Sequence, residues 1–95
     1  MDRSDRTAAD QGMPDAQYNL AVCYDLGEAL PRDATMSAKW YRKAAEQGFG
    51  MAQYNLAVAY CNGDGVDEDK KLALEWMNKA AAQGVKEAKE ALENF

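Results

Sequence analysis

The stretch that decides the fold runs from Trp40 to Tyr60 and reads WYRKAAEQGFGMAQYNLAVAY. It holds the end of one repeat and the start of the next. Shifted by 36 positions, the sequence falls on itself: Ala16-Gln17-Tyr18-Asn19-Leu20-Ala21-Val22 becomes Ala52-Gln53-Tyr54-Asn55-Leu56-Ala57-Val58. Tyr24 returns as Tyr60, Gly27 as Gly63, Asp33 as Asp69, Trp40 as Trp76 and Gln47-Gly48 as Gln83-Gly84. A period between about 20 and 50 residues marks stacked supersecondary units rather than one irregular globule.

The register continues past both full units. Ala8-Ala9 and Gln11-Gly12 match Ala44-Ala45 and Gln47-Gly48, with Ser4 where Trp40 would stand. At the far end Ala88 and Leu92 match Ala52 and Leu56, while Glu90 replaces Tyr54. The organisation read from this is a partial repeat over residues 1–14, full repeats over 15–50 and 51–86, and a capping helix over 87–95. Half-units that exchange aromatics for charge are what a solenoid needs to stay soluble.

Within a unit the local signals are helical. Pro14 suits a first turn, and Ala16, Leu20 and Tyr24 recur every four residues on one stripe that ends at Gly27. Pro31 blocks a continuing helix, and Asp33 is a good N-cap for the next. That helix gathers Met36, Trp40, Tyr41, Ala44 and Ala45 on one arc and ends at Gly48. The second unit repeats the pattern, with Asp69 as cap, then Leu72, Trp76, Met77, Ala80 and Ala81, then Gly84. No window alternates with period two, so no strand is expected. Short connections make each unit an antiparallel helical hairpin.

These residues carry a resemblance. The pattern of Ala16, Leu20, Tyr24, Gly27, Asp33, Trp40, Tyr41, Ala44, Ala45 and Gly48 resembles the Sel-one-like repeat (SLR), a longer-looped relative of the tetratricopeptide repeat. Ala52, Leu56, Tyr60, Gly63, Gly65, Val66, Asp69, Trp76, Ala80, Ala81 and Gly84 carry it a second time. The resemblance implies an all-α, right-handed superhelical solenoid used as a scaffold for protein–protein contact, many of its members being bacterial. The family's glycine after the leucine is Ala21 and Ala57 here, which should widen that helix contact slightly. Ala29 stands where the second loop has Gly65, and carries strain if that position needs a positive φ.

Composition narrows the function. A net charge of −5 and pI ≈ 4.6 oppose binding to nucleic acid or to an anionic membrane, whose footprint is basic. No apolar run approaches the ~18 residues of a membrane span, and the start, MDRSDR, lacks the apolar core of a secretory signal, so a cytoplasmic location is expected, or a periplasmic or secreted one for a processed fragment. The chain has no histidine, which removes His-based triads and His metal sites. No nucleophile with an oriented base is evident, so no enzyme, cofactor or metal is expected. Cysteine-rich relatives of the repeat, linked to β-lactam binding and hydrolysis, carry a regular cysteine pair in each unit that this chain lacks. Cys23 and Cys61 hold different register positions, Cys23 on the core arc and Cys61 on the opposite face, and read as free thiols. In the acidic loop from Asn62 to Asp69, Val66 interrupts calcium-ligand spacing, and turn chemistry explains every residue.

The candidate site is the face of each first helix opposite its core stripe. Tyr18, Val22, Asp25 and Leu26 fall there in the first unit, and Tyr54, Val58 and Cys61 in the second, with Asn19 and Asn55 at the edge. A solvated face should be polar, yet this one stacks two Tyr and two Val in register, as an interaction surface does. In the resemblance it lines the concave groove that holds an extended or helical segment of a partner. The plainer reading is packing of Tyr and Val between adjacent first helices. Assembly of this chain with itself, through its open ends, is the alternative function.

Overall fold

The computed structural model describes residues 8–94. Five helices follow a short helical turn at residues 8–10: α1 (Pro14–Leu26), α2 (Ala34–Glu46), α3 (Gly50–Asn62), α4 (Lys70–Ala82) and α5 (Lys86–Glu93). No strand occurs among the described residues. Each helix packs on the next, giving an elongated stack of 39 × 23 × 17 Å. This is a solenoid of helical hairpins, α1 with α2 and α3 with α4. Among the described residues no helix is long and apolar enough to cross a membrane.

The helix ends follow from the residues that the period singles out. The Asp33 carboxylate accepts from the Met36 N–H and that of Asp69 from the Leu72 N–H, each at 3.1 Å. Such caps are worth about 1 kcal/mol each. Pro14 occupies the first turn of α1, where its missing N–H costs nothing. The two long loops follow one backbone path: the Asp33 N–H donates to the Tyr24 carbonyl at 3.0 Å, and the Asp69 N–H to the Tyr60 carbonyl at 2.9 Å.

That shared path puts Ala29 at φ 64°, beside φ 79° for Gly65. The strain expected of Ala29 is therefore present, about 1 kcal/mol or more for a residue with a Cβ. Gly65 is needed on a second ground. A Cβ there would fall on the carbonyl oxygen of Ala34, the first residue of α2, because the second loop rests on the preceding hairpin. Ala29 is exposed.

The core is built from small residues around a few large ones. Leu20, Leu56, Ala44, Ala52 and Ala73 are fully buried, with Trp40, Tyr41 and Tyr60 nearly so. A second cluster joins Ala57, Met77, Ala80 and Ala88, and so seats α5 against the last hairpin. Ala21 and Ala57 are completely buried. The Ser37 hydroxyl crosses from α2 to donate to the Ala21 carbonyl oxygen at 2.8 Å.

Four glutamines stitch the hairpins together. Gln17 and Gln53 are both buried. Each accepts at Oε1 from a glutamine 30 positions later, Gln47 or Gln83, at 2.8 Å. Each also donates backwards, Gln17 to the Ala9 carbonyl at 3.4 Å and Gln53 to the Ala45 carbonyl at 3.2 Å.

Three expectations about burial need correction. Tyr24 is only half-buried, whereas its counterpart Tyr60 is 4% exposed. The Arg42 guanidinium lies 5.6 Å from the Tyr60 ring centre, and the position 36 places earlier, Arg6, is outside the described residues. Trp76 is half-buried rather than core, with Lys79 over its ring at 4.4 Å. The cysteines do not divide into one buried and one exposed: both are free and half-buried, and Cys61 packs against the main core. A first helix lies between two hairpins, so its covered arc is wider than one stripe. Single-helix phasing misses that.

Candidate functional site

Three helices and one loop converge between the two hairpins. Asp25 comes from the last turn of α1, and Ser37 and Tyr41 stand one turn apart on α2 beside the small Ala34 and Ala38. Asn55, Val58 and Ala59 come from α3, and Asp64 from the loop that follows it. Together they enclose a cavity of about 60 Å³.

Its electrostatics are set at the rim. Nη2 of Arg32 lies 3.3 Å from Oδ2 of Asp64 and 3.8 Å from Oδ1 of Asp25, while its Nε donates to the Asp25 carbonyl oxygen at 2.9 Å. The guanidinium is exposed, so these pairs add at most ~1 kcal/mol each. Deeper in, the Tyr41 phenol is pushed far above its ordinary pKa, first by burial, then by the negative charge of Asp25 and by neighbouring Tyr18. It is neutral at any ordinary pH. The Asn55 amide nitrogen donates to the Tyr18 hydroxyl at 3.3 Å, linking the first helices of the two repeats.

Of the nine residues expected at the groove, the cavity gathers Asp25, Asn55 and Val58. Asn19 is exposed, as is Leu26 next to Asp25, at 61%. Val22 and Cys61 are half-buried against the main core. Tyr18 is not a spare aromatic: its ring lies 5.1 Å from Phe49 and 5.8 Å from Tyr41, centre to centre. Tyr54 packs against the second core cluster. Each of these tyrosines packs in a seam between neighbouring helices rather than standing on an open face.

Ser37, Tyr41 and Asp64 join the site although sequence reasoning misses them there. Helix phasing assigns Tyr41 wholly to the core arc, and turn chemistry accounts for Asp64. The available signal is the Ser37–Tyr41 spacing of four, which puts two hydroxyls on one otherwise small, apolar face of α2.

Comparison with known proteins agrees with this architecture. The family model of the Sel1 repeat matches twice, over residues 14–49 and 50–85. A Sel1 repeat protein from Oxalobacter formigenes superposes with a TM-score of 0.96 at 45% identity, over 98% of this chain and 70% of that one. A protective antigen of uropathogenic Escherichia coli with an SLR fold gives 0.91 at 43% identity, over 93% of this chain and 19% of the antigen. Cysteine rich protein B of Helicobacter pylori gives 0.86 at 22% identity, over 92% and 65%, and speaks for the fold alone. The chain thus corresponds to a part of each. No curated protein is similar enough to match it. Sel1 repeat proteins serve generally as protein-interaction scaffolds. With both units matched and a 45% identical relative of the same architecture, the chain belongs to the Sel1 repeat family.

Proposed function

We propose that this chain is an adaptor that holds an extended or helical segment of another protein in the groove between its two hairpins. The observation that carries the reading is the cavity itself. Asp25, Asn55 and Val58, from the first helices of successive repeats, line one opening, with the buried Ser37 and Tyr41 of α2 among the deeper lining. Such mixed concavities are the usual form of recognition sites. Exposed Leu26, at the end of α1 next to Asp25, adds apolar surface for the segment to cover. End-to-end assembly finds less support. Glu90 and Glu93 of α5 are exposed where the register has Tyr54 and the fully buried Ala57, so stacking another hairpin on α5 would bury charge.

The test is selection of random twelve-residue peptides on the intact chain, followed by nuclear magnetic resonance mapping of the selected peptide. Saturable shifts at Asp25, Asn55 and Val58, abolished by Val58→Asp in a folded variant, support the groove. Peptides that map to another face and ignore Val58→Asp overturn it.

A further inference from the structure

Resting on that reading, we infer that the cavity takes the head of a basic side chain, arginine or lysine, from the bound segment. The donors and acceptors around the cavity are unequally matched. The Ser37 hydroxyl proton is committed to the Ala21 carbonyl oxygen at 2.8 Å, and the Asn55 amide nitrogen is turned to Tyr18 at 3.3 Å. The Tyr41 hydroxyl is engaged with Ser37 and Asp25 inside the wall. The lining groups left over are acceptors, Oδ1 of Asn55 and the carboxylates of Asp25 and Asp64, each carboxylate touched by Arg32 through one oxygen. A pocket rich in acceptors and negative charge selects a donor-rich cation and leaves a carboxylate or a carbonyl unmatched.

Size and shape agree. About 60 Å³ accommodates roughly four water-sized groups at ~10–15 Å³ each, the size of a guanidinium. Val58 and the neighbouring small residues offer apolar wall for the aliphatic stem. The chain itself shows the chemistry at the rim, where Arg32 reaches one oxygen of each carboxylate from the solvent side. The overall charge of −5 draws a basic segment in.

The experiment titrates the isotope-labelled intact chain with three capped pentapeptides, Ala-Ala-Arg-Ala-Ala and its citrulline and alanine versions at the centre. Citrulline keeps the shape of arginine and lacks the charge. The expected result is saturable shifts at Asp25, Ser37, Asn55 and Asp64 with the arginine peptide, and at least tenfold weaker binding of the other two. Asp64→Asn, at an exposed loop position, should weaken the arginine peptide at least fivefold with the melting temperature unchanged. Arg32→Ala, which frees both carboxylates, should tighten it severalfold. Equal binding of all three peptides at these residues overturns the basic subsite and leaves the groove intact. Shifts that never saturate, or that spread over the acidic surface alike in parent and Asp64→Asn chains, also overturn the subsite. The groove reading then stands or falls on the selected twelve-residue peptides.

Discussion

Gln53 and Gln83 share a hydrogen bond of 2.8 Å, and the same Gln53 amide reaches back to the Ala45 carbonyl at 3.2 Å. One buried side chain thereby ties its own hairpin together and fixes it to the preceding one. Repeat proteins derive their cooperativity from such nearest-neighbour interfaces.

Gln53→Ala should therefore cost about 1–3 kcal/mol, since it leaves the Ala45 carbonyl without its side-chain donor and the Gln83 amide without its acceptor. Gln83→Ala, at an exposed residue, should cost about 1 kcal/mol or less. Urea titrations of the two variants give the comparison. A larger loss from Gln83→Ala would mean that the stitch does not carry the interface.

The two tryptophans should part company. Trp40 is 5% exposed and its indole N–H has no hydrogen-bond partner among the described residues, whereas Trp76 is half-buried. Trp40→Ala should cost about 3–5 kcal/mol, and Trp76→Ala clearly less. Equal shifts of the denaturation midpoint would contradict the difference in burial.

Most of the fold was legible because the period exposes it. Asp33 and Asp69 as caps, Gly27 and Gly63 as stops and the buried Ala16, Ala21, Ala44, Ala52, Ala57 and Ala80 all lie at positions that the 36-residue offset singles out. The site was less legible, since its shape depends on where one hairpin meets the next. Tyr18 reads as a surface residue on an isolated helix, and only the arrival of Tyr41 and Phe49 makes it a seam residue. Ser37 is inconspicuous in sequence because the offset pairs it with Ala73, which has no hydroxyl, and Asp64 because it stands in a loop whose residues turn chemistry already explains.

Tyr18 gives that point a measurable form. Tyr18→Phe should cost about 1 kcal/mol by removing the acceptor of the Asn55 amide. Tyr18→Ala should cost about 2 kcal/mol or more, because the ring no longer packs on Phe49 and Tyr41. Thermal melts separate the two. An unchanged melting temperature for Tyr18→Ala would return the residue to the surface.

The loops offer a paired test of backbone strain. Ala29→Gly relieves a positive φ but loosens the unfolded chain, so it should stabilise by ~1 kcal/mol at most. Gly65→Ala adds both the strain and a methyl against the Ala34 carbonyl, and should cost well over ~1 kcal/mol. If thermal melts show that Gly65→Ala is harmless, the loop does not rest on α2.

Alkaline titration probes Tyr41 at the boundary between core and cavity. Burial, then Asp25, hold its folded-state pKa far above the ordinary value near 10. Below that ordinary value the phenol is protonated in folded and unfolded chains alike, and its contribution is fully present. As pH rises through about 10, the unfolded chain releases this proton while the folded chain keeps it. Stability must then fall, by up to ~1.4 kcal/mol per pH unit from this one group. Tyr41→Phe removes the titrating group, so the variant should lose stability less steeply between pH 10 and 11. The check is a set of urea titrations at half-unit pH steps on parent and variant. Parallel curves would show that Tyr41 ionises as freely in the folded chain as in the unfolded one, which a phenol held beside Asp25 in this cavity wall cannot do.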